Sequence, residues 1–304
     1  MLGVLNNISA LYAENNLTRT QSSLQTTLTQ LSSGSILNSG ADNPAGLSLA
    51  NGLAANSAAL TQSAANANQG VGLLQVADGA LSQVTNLLNK AITLATEASN
   101  GTLNSTQDAA ANQEYQSILA EINNIGSTTT YNSQAVFTGA TVAIYTGDSS
   151  TAGASVDSLY FAKLTSSSVG DANGKVSLTA ASGTVPATIT YTATASTTNQ
   201  IDLSTTSLTS ATFAQAALAA LNIATSDVAA QRGYLGSQIN TLNSVSNVES
   251  TQQVNLVAAQ NAISATDYGQ ATTNMSKEQI LTQTGISALA QANSSQQAVL
   301  KLLQ

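Results

Sequence analysis

Residues 74–98 read LQVADGALSQVTNLLNKAITLATEA, a run in which small apolar side chains recur at regular intervals. The intervals alternate between three and four residues, which is the spacing of one face of an α-helix in a coiled coil. The pattern is sustained over about three heptads, so it predicts a long helix that packs against a second helix. This stripe consists of Leu74, Ala77, Leu81, Val84, Leu88, Ala91, Ala95 and Ala98.

Another apolar stripe lies towards the N-terminus and ends at two glycines. Gly34 and Gly40 break its helical spacing. Asp42 or Asn43 followed by Pro44 then predicts an N-cap and the first residue of the next helix, because proline suits the first helical position. The N-terminal stripe consists of Leu5, Ile8, Tyr12, Leu17, Leu24 and Leu31.

Helical spacing also follows the first stripe and returns near the C-terminus. A break at Asn100-Gly101 precedes Ser105 and Asp108, which fit a capping box at the start of a third helix. The inner face of that helix is predicted to carry Tyr115, Ile118, Ile122 and Ile125. From about Ser210 a further stripe consists of Leu218, Leu221, Val228, Leu235, Ile239, Leu242, Leu256 and Ile263. The last segment carries Met275, Leu281, Leu289, Val299, Leu300, Leu302 and Leu303.

Residues 131–207 differ from both ends in being rich in Ser, Thr, Gly and Ala. Short alternating runs separated by turn signals predict β-hairpins there. The predicted strands are Val142–Tyr145, Ser158–Phe161, Lys175–Leu178 and Ala187–Thr194. Because a narrow apolar stripe on a helix needs a partner, we expect the N-terminal and C-terminal helices to pair and the β-rich middle to protrude.

The composition excludes several classes of function. The chain has no His and no Cys, which removes histidine acid–base catalysis, cysteine nucleophiles and the usual zinc sites. We therefore predict no enzyme activity and no cofactor or metal. Seven basic residues against fifteen acidic ones, a net charge of −8, predict no nucleic-acid partner. No apolar run of about 18 residues occurs, which predicts no membrane partner, and residues 1–10 lack the pattern of a signal peptide.

Two strings of residues at opposite ends of the chain carry a family resemblance. The N-terminal string contains Leu31-Ser-Ser-Gly34, Ile36, Asn38-Ser39, Ala41-Asp42, Ala45-Gly46, Leu60-Thr-Gln62, Asn66-Ala67-Asn68 and Gly79-Ala80-Leu81. The C-terminal string contains Asp267-Tyr268, Asn274-Met275-Ser276, Gln279-Ile280-Leu281, Ala288-Leu289-Ala290-Gln291-Ala292-Asn293, Val299-Leu300 and Leu302-Leu303. Together they resemble the two terminal regions of bacterial flagellins, the subunits of the flagellar filament.

The resemblance implies a mainly α fold with a β-rich insertion. The N- and C-terminal segments would form a long antiparallel helical rod or coiled coil, with a β-hairpin and a small outer region in the middle. Residues 1–43 and 265–304 would form an inner terminal domain. Residues 44–165 and 208–264 would form a helical rod domain with its β-hairpin, and 166–207 a short variable outer region.

The function implied by the resemblance is that of a structural subunit that polymerises into the flagellar filament for swimming motility. Such a subunit is exported unfolded by the flagellar type III system and lies outside the cell, without a cleaved signal peptide. The implied partners are other copies of the chain, an export chaperone at the C-terminal segment, and the filament cap and hook-junction proteins. We also expect residues 1–43 and 265–304 to be disordered in the free monomer and helical after assembly, since short isolated helices are marginal in water.

The apolar stripes supply the residues predicted to act in this assembly. The predicted seams of the inner domain consist of Leu5, Ile8, Tyr12, Leu24, Leu31, Met275, Leu281, Leu289, Val299, Leu300 and Leu303. The predicted seam of the rod domain consists of Leu74, Leu81, Val84, Leu88, Ile118, Ile122, Leu235 and Leu242.

Flagellins that activate the innate-immune receptor resemble one another in a rod-domain helix with the pattern Leu-Gln-Arg-Val-Arg-Glu-Leu. Residues 88–94 of this chain read LNKAITL at the corresponding place. The resemblance implies receptor-facing roles for Lys90, Leu94 and Glu114. Ile92 and Thr93 replace an Arg and a Glu, and Lys90 cannot form the bidentate hydrogen bonds that Arg forms. Weak activation of the receptor, or none, is therefore predicted.

Other interpretations of the sequence stay open at this stage. The stripes also fit the core of a monomeric helical bundle. A hook–filament junction protein has similar terminal helices, and copy number in the flagellum would distinguish it. A β-rich surface adhesin is a further alternative, although few aromatic residues are available for a carbohydrate platform. The Ser/Thr-rich middle is either a plain solvated surface or, less commonly, a site of O-glycosylation.

Overall fold

The computed structural model of the chain describes residues 7–147, 156–167, 169, 174–179, 188–193 and 202–302. The helices are α1 (Ile8–Ser33), α2 (Pro44–Ser99), α3 (Ser105–Thr128), α4 (Ala211–Ser264) and α5 (Tyr268–Leu302). Between α3 and α4 lie β1 (Thr130–Tyr131), β2 (Gln134–Ala135), β3 (Thr141–Tyr145), β4 (Val156–Tyr160), β5 (Gly174–Thr179), β6 (Thr188–Ala193) and a 3-10 turn at Leu203–Thr205. The predicted fold class, mainly α with a β-rich insertion, is confirmed.

The chain divides into two compact units. Unit 1 consists of Met1–Ser57 and Val254–Gln304, and unit 2 consists of Ala58–Gln253. Helices α2 and α4 contribute residues to both. The assignment of inner, rod and outer domains by residue range stays a prediction.

The connection from α1 to α2 has the local structure that its sequence predicts. Gly34 ends α1 in the left-handed region, with φ +72°, and its N–H donates to Gln30 O. Asn43 is the N-cap of α2, because its Oδ1 accepts a hydrogen bond from Gly46 N at 2.9 Å. The Asp42 carboxylate instead accepts from the N–H of Ser39 at 2.7 Å and of Asn38. These hydrogen bonds, above all the one from Ser39, lower the pKa of Asp42.

The capping box of α3 lies one residue earlier than predicted. Asn104, not Ser105, is the N-cap, and its side chain accepts from the backbone N–H of Thr106 and Gln107. Gln107, not Asp108, completes the box by accepting from Asn104 N at 2.9 Å. The correction has a simple cause, since Asn caps as well as Ser and precedes it here.

The core of unit 2 is formed by α2, α3 and α4. Arg232 Nε of α4 donates to Asp78 Oδ1 of α2 at 2.8 Å, and Gln253 Nε2 donates to Thr61 Oγ1 at 3.0 Å, so the two long helices run antiparallel. Within unit 2, the buried side chains of α2 are those of Leu60, Ser63, Ala67, Leu73, Leu74, Ala77, Leu81, Val84, Leu88, Ala91, Ala95 and Ala98. Those of α4 are Ala214, Ala217, Leu221, Ala224, Val228, Gln231, Tyr234, Leu235, Gln238, Leu242 and Glu249.

The strands form antiparallel hairpins in which β1 pairs with β2, β3 with β4, and β5 with β6. Strand β3 coincides with the predicted run Val142–Tyr145, and the other three predicted runs overlap β4, β5 and β6. The turn signal Ser182-Gly183, which separates the last two predicted strands, lies outside the described residues. Within β3–β4, Val142 pairs with Leu159 and Ile144 with Asp157.

Tyr234 attaches the β3–β4 hairpin to α4. Its hydroxyl accepts a hydrogen bond from Tyr160 N at 3.3 Å and donates to Ser158 O at 3.4 Å. Burial raises the pKa of Tyr234 against the hydrogen bond from Tyr160 N. On the other helix, a Cβ at Gly70 would lie 3.2 Å from Ile144 Cγ1, so the small residue lets the hairpin approach α2.

Candidate assembly surfaces

Helices α1 and α5 pack antiparallel in unit 1. At one end, Asn7 Nδ2 donates to Ala292 O at 3.1 Å. At the other, a short backbone bridge joins the segment after α1 to the segment before α5, where Ile36 N donates to Ser264 O at 2.8 Å and Thr266 N donates to Gly34 O at 3.0 Å. Hydrogen bonds therefore fix both ends of the pair.

The seam between α1 and α5 is narrow and only partly buried. Its positions recur at steps of three and four on both helices, as in a coiled coil, but small and polar residues occupy many of them. Only Thr27 and Ala271 are buried among the described seam residues, at 7% and 6% exposure. The seam consists of Ala10, Ala13, Leu17, Thr20, Leu24, Thr27 and Leu31 on α1 and of Ala271, Met275, Glu278, Thr282, Gly285, Leu289 and Ala292 on α5.

Several large apolar side chains of unit 1 lie outside this seam. Ile8 and Tyr12 were predicted to continue the stripe of Leu24 and Leu31, yet they are 60% and 69% exposed. Leu281 was also predicted to be a seam residue and is exposed in the single chain. The reason is that Ala10 and Ala13 line the seam at this end of α1, and Ile8 and Tyr12 lie on the opposite side of the helix.

The remaining predicted seam residues of unit 1 divide into three groups. Leu24, Leu31, Met275 and Leu289 are half-buried in the α1–α5 seam. Val299 and Leu300 lie on α5. Leu5 and Leu303 lie outside the described residues.

We use the name outer face for two sets of exposed apolar residues of unit 1, one on α1 and one on α5. On α1, Ile8 is followed by Leu11 and Tyr12 at spacings of three and four, which places all three on one side of the helix. On α5, Ile280 is 65% exposed, and Leu281 and Ile286 are exposed as well. Exposed large apolar side chains that cluster on a helix, as on α1, are typical of a site that another protein covers.

The residues of the helical seam are more completely buried in unit 2 than in unit 1. The predicted rod-domain residues Leu74, Leu81, Val84, Leu88, Ile118, Ile122, Leu235 and Leu242 all lie in its buried core. Full burial of a leucine side chain contributes roughly 1.5–3 kcal/mol relative to exposure, so this core stabilises the unit without help from another chain. The assignment of these residues to assembly stays a prediction.

A segment that shows no clear pattern in the sequence connects α3 to the start of α4. Leu203 and Leu208 are fully buried in the core of unit 2. The hydroxyls of Tyr115 and Thr206 form a hydrogen bond, and Asn112 Oδ1 accepts from Leu208 N at 2.8 Å. Burial raises the pKa of Tyr115 against its hydrogen bond with Thr206. The apolar pair was hidden in the sequence because it lies among serines and threonines.

Two ion pairs connect helices of unit 2. Arg232 and Asp78 form a two-pronged pair, and these hydrogen bonds raise the pKa of Arg232. Lys90 Nζ lies 2.6 Å from Glu114 Oε1, with the two side chains 59% and 48% exposed. Leu94 is half-buried against the core. Lys90 and Glu114, which were predicted to face a receptor, are thus engaged with one another.

No group of three or more acidic side chains that could hold a metal ion occurs in the described part of the chain. Nor does any helix in the described ranges combine the length and apolar character that crossing a membrane requires.

Comparison with known proteins identifies the same two terminal regions. The family model for the bacterial flagellin N-terminal helical region matches residues 4–141, and that for the C-terminal helical region matches residues 218–303. A flagellin of Halalkalibacterium halodurans is 31% identical over 300 residues, which are 98% of each chain. Flagellin A of Vibrio cholerae is 35% identical over 138 residues, 45% of this chain, and the match spans only 36% of that relative. The crystal structure of Bacillus cereus flagellin superimposes with a TM-score of 0.44 and 24% identity, covering 64% of this chain and 94% of that one.

Proposed function

The chain belongs to the bacterial flagellin family, and from this premise we propose that it is a structural subunit that polymerises into a flagellar filament. One observation carries the proposal beyond family membership. The outer face of unit 1 exposes large apolar side chains next to a seam that the single chain leaves partly open. Both features are unfavourable in water for an isolated chain and favourable once another copy covers them.

The arrangement of the outer face supports assembly without closure. A filament requires contacts between two different surfaces, so that each added copy presents a fresh surface to the next. The outer face includes Ile8, Leu11 and Tyr12 on α1 and a separate set, Ile280 and Ile286, on α5. Two apolar surfaces of different composition on two helices meet this requirement.

We propose a structural role rather than an enzymatic one. The absence of His and Cys from the sequence leaves few groups suited to acid–base or nucleophilic chemistry at neutral pH. Two titratable groups with shifted pKa values, Asp157 and Tyr234, lie where the β3–β4 hairpin packs on α4, which is a structural position.

Export and location follow from the same premise. We propose that the chain leaves the cell unfolded through the flagellar type III system, that a chaperone covers the C-terminal segment beforehand, and that cap and hook-junction proteins contact it in the finished flagellum for swimming. The exposed apolar residues of α5 support the chaperone, because an uncovered surface of this kind promotes aggregation. Weak or absent receptor activation is proposed as well, since Lys90 is paired with Glu114.

Polymerisation of the purified chain tests the proposal. We expect filaments in the electron microscope after salt is added, and a raised critical concentration for the variants Leu11→Ser and Tyr12→Ser. Leu11→Met and Tyr12→Phe are the matched controls, because they keep the side chains apolar and should polymerise normally. Short closed rings would favour a junction protein. Equal polymerisation of the serine variants and the controls would contradict the role of the outer face.

A further inference from the structure

Glu249 is a buried carboxylate in the helical seam of unit 2. The residue is only 4% exposed, and Ser63 of α2, which faces it, is buried too. Ser63 Oγ donates a hydrogen bond to Glu249 Oε1. The other carboxylate oxygen, Oε2, is buried and has no hydrogen-bond partner among the described residues. A buried oxygen of this kind destabilises the ionised form of the carboxyl group, since it has lost water without gaining a donor.

The same serine also binds the β3–β4 hairpin. Ser63 Oγ accepts a hydrogen bond from Gly147 N, the backbone amide that follows β3 and Thr146. Nearby, Asn66 Nδ2 donates to Tyr145 O at 3.1 Å. One hydroxyl thus joins the carboxyl group of α4 to the hairpin, and a change at Glu249 reaches Gly147 through a single atom.

We propose that Glu249 and Ser63 form a proton-sensitive latch that fastens the β3–β4 hairpin to helices α2 and α4. When Glu249 is ionised, Ser63 donates to it and the desolvated charge opposes docking. When Glu249 takes up a proton, that opposition disappears, and Ser63 keeps a lone pair for Gly147 N–H. The latch is therefore tighter with a neutral Glu249.

The charged group nearest to the latch also favours the neutral form of Glu249. From the hairpin, Asp157 faces Glu249 as a like charge, and Thr146 Oγ1 donates to Asp157 Oδ2 at 3.2 Å. From α2, the facing residues Ser63 and Asn66 carry no charge. The ion pair of Asp78 and Arg232 lies roughly 25 Å along the helices, at a rise of about 1.5 Å per residue. Asp148, which follows Gly147, lies outside the described residues.

The pKa values give the direction of the pH effect. Burial raises the pKa of Glu249 above its ordinary value of 4.5, and the like charge of Asp157 raises it further, against the Ser63 hydrogen bond. Burial also raises the pKa of Asp157, against the hydrogen bond from Thr146. The folded state therefore binds these protons more tightly than the unfolded state does. The added stability is complete below the ordinary pKa and is lost as the pH rises through the raised one. Mild acid should tighten the hairpin.

Hydrogen exchange at the Gly147 amide tests the latch in the full chain. Protection factors, which remove the intrinsic pH dependence of exchange, are measured at pH 5 and pH 8 and referred to the amide of Leu235. Protection of Gly147 should fall severalfold between these pH values, because the raised pKa of Glu249 makes its carboxyl group neutral more often at pH 5 than at pH 8. In Glu249→Gln, which is permanently neutral, the fall should be clearly smaller, and the part that remains comes from Asp157. The matched control Glu97→Gln, at an exposed site of α2, should behave like the unmodified chain.

The account is overturned if Glu249→Gln shows the same fall as the unmodified chain, or if Gly147 protection in the unmodified chain does not depend on pH. Should Glu249→Gln fail to fold, two further measurements decide. In the unmodified chain, carbon NMR of the Glu249 carboxyl should show titration above the value of the denatured chain, and titration at or below that value overturns the proposal. In Ser63→Ala, Gly147 should be weakly protected at both pH values. None of these readouts requires polymerisation, so the result is independent of the proposed function.

Discussion

Leu17 of α1 packs directly over Gly285 of α5, where a Cβ atom at position 285 would lie 3.3 Å from Leu17 Cδ1. The α1–α5 seam therefore has room for one large side chain at this level and not for two. Pairing of a large residue with a small one is an efficient way to fill a narrow helical seam. It also makes the seam sensitive to changes of volume on either side.

A double-mutant cycle should reveal this dependence. Gly285→Leu is expected to crowd the seam and raise the critical concentration for polymerisation by about tenfold or more, since overpacking typically costs 1–3 kcal/mol and about 1.4 kcal/mol is a factor of ten. Adding Leu17→Ala to that variant should restore much of the loss, because it frees the volume that the new leucine needs. Sedimentation of polymerised chain measures the effect. Strictly additive changes would show that the two side chains do not share one space.

Glu278 is half-buried in the same seam, and its Oε2 has no hydrogen-bond partner within the described part of the chain. Glu278→Leu should stabilise the α1–α5 pair by about 1 kcal/mol or more, because it replaces an unsatisfied polar group with apolar surface. The expected result is higher helical content in the free chain, measured by circular dichroism. Glu121→Leu, at an exposed position of α3, is the control and should leave helical content unchanged. A lower helical content in Glu278→Leu would contradict the prediction.

Gly126 of α3 packs against the backbone of the segment after β4, so that a Cβ there would overlap the carbonyl oxygen of Leu164. Gly126→Ala is expected to lower the free energy of unfolding of unit 2 by about 1–3 kcal/mol or more. Gly79→Ala on α2 is the matched control, because a Cβ there meets no neighbour. It should raise stability by about 0.5–1 kcal/mol through helix propensity. Urea denaturation measures the free energy of unfolding of both variants. Equal values for the two variants would contradict the close packing of Gly126 against Leu164.

Leu203 holds the two ends of the β-rich insertion together, because its N–H donates to Ser166 O at 3.1 Å. Its side chain is fully buried. Replacing residues 170–201 with a short Gly/Ser linker, which keeps the buried Val169, should change the stability of unit 2 by less than about 1 kcal/mol, because loop closure depends weakly on length. Leu203→Ala should lower it by about 2–5 kcal/mol. Thermal unfolding distinguishes the two changes. A larger loss from the linker than from Leu203→Ala would show that the insertion supports the core.

The sequence predicted the parts of the fold in which the apolar residues are also the buried ones. In the run from Leu74 to Ala98, every residue of the predicted stripe is buried, because large and small apolar residues alternate on one face. At the start of α1 the apolar residues are not the buried ones, since Ala10 and Ala13 line the seam while Ile8 and Tyr12 face outwards. Hydrophobicity alone cannot separate a face that packs within the chain from one that is left for another chain.

The polar members of the seams were harder to predict. Ser63 and Glu249 hold positions in register with the leucine stripes, yet their residue types suggest solvent. Their burial depends on the approach of the β3–β4 hairpin, which is a long-range contact. Local spacing predicted strand β3 but carries no information about where the hairpin docks.

Hydrogen exchange on the free chain and on the polymerised chain tests the central claim, that the α1–α5 pair is completed by neighbouring copies. Amides around Leu24 and Leu289 should exchange rapidly in the free chain and slowly in the filament, because the seam is only half-buried in one chain. Amides around Leu81 and Leu235 should be protected in both states, because their core is complete in unit 2. Protection around Leu289 in the free chain as strong as that around Leu235 would contradict the account.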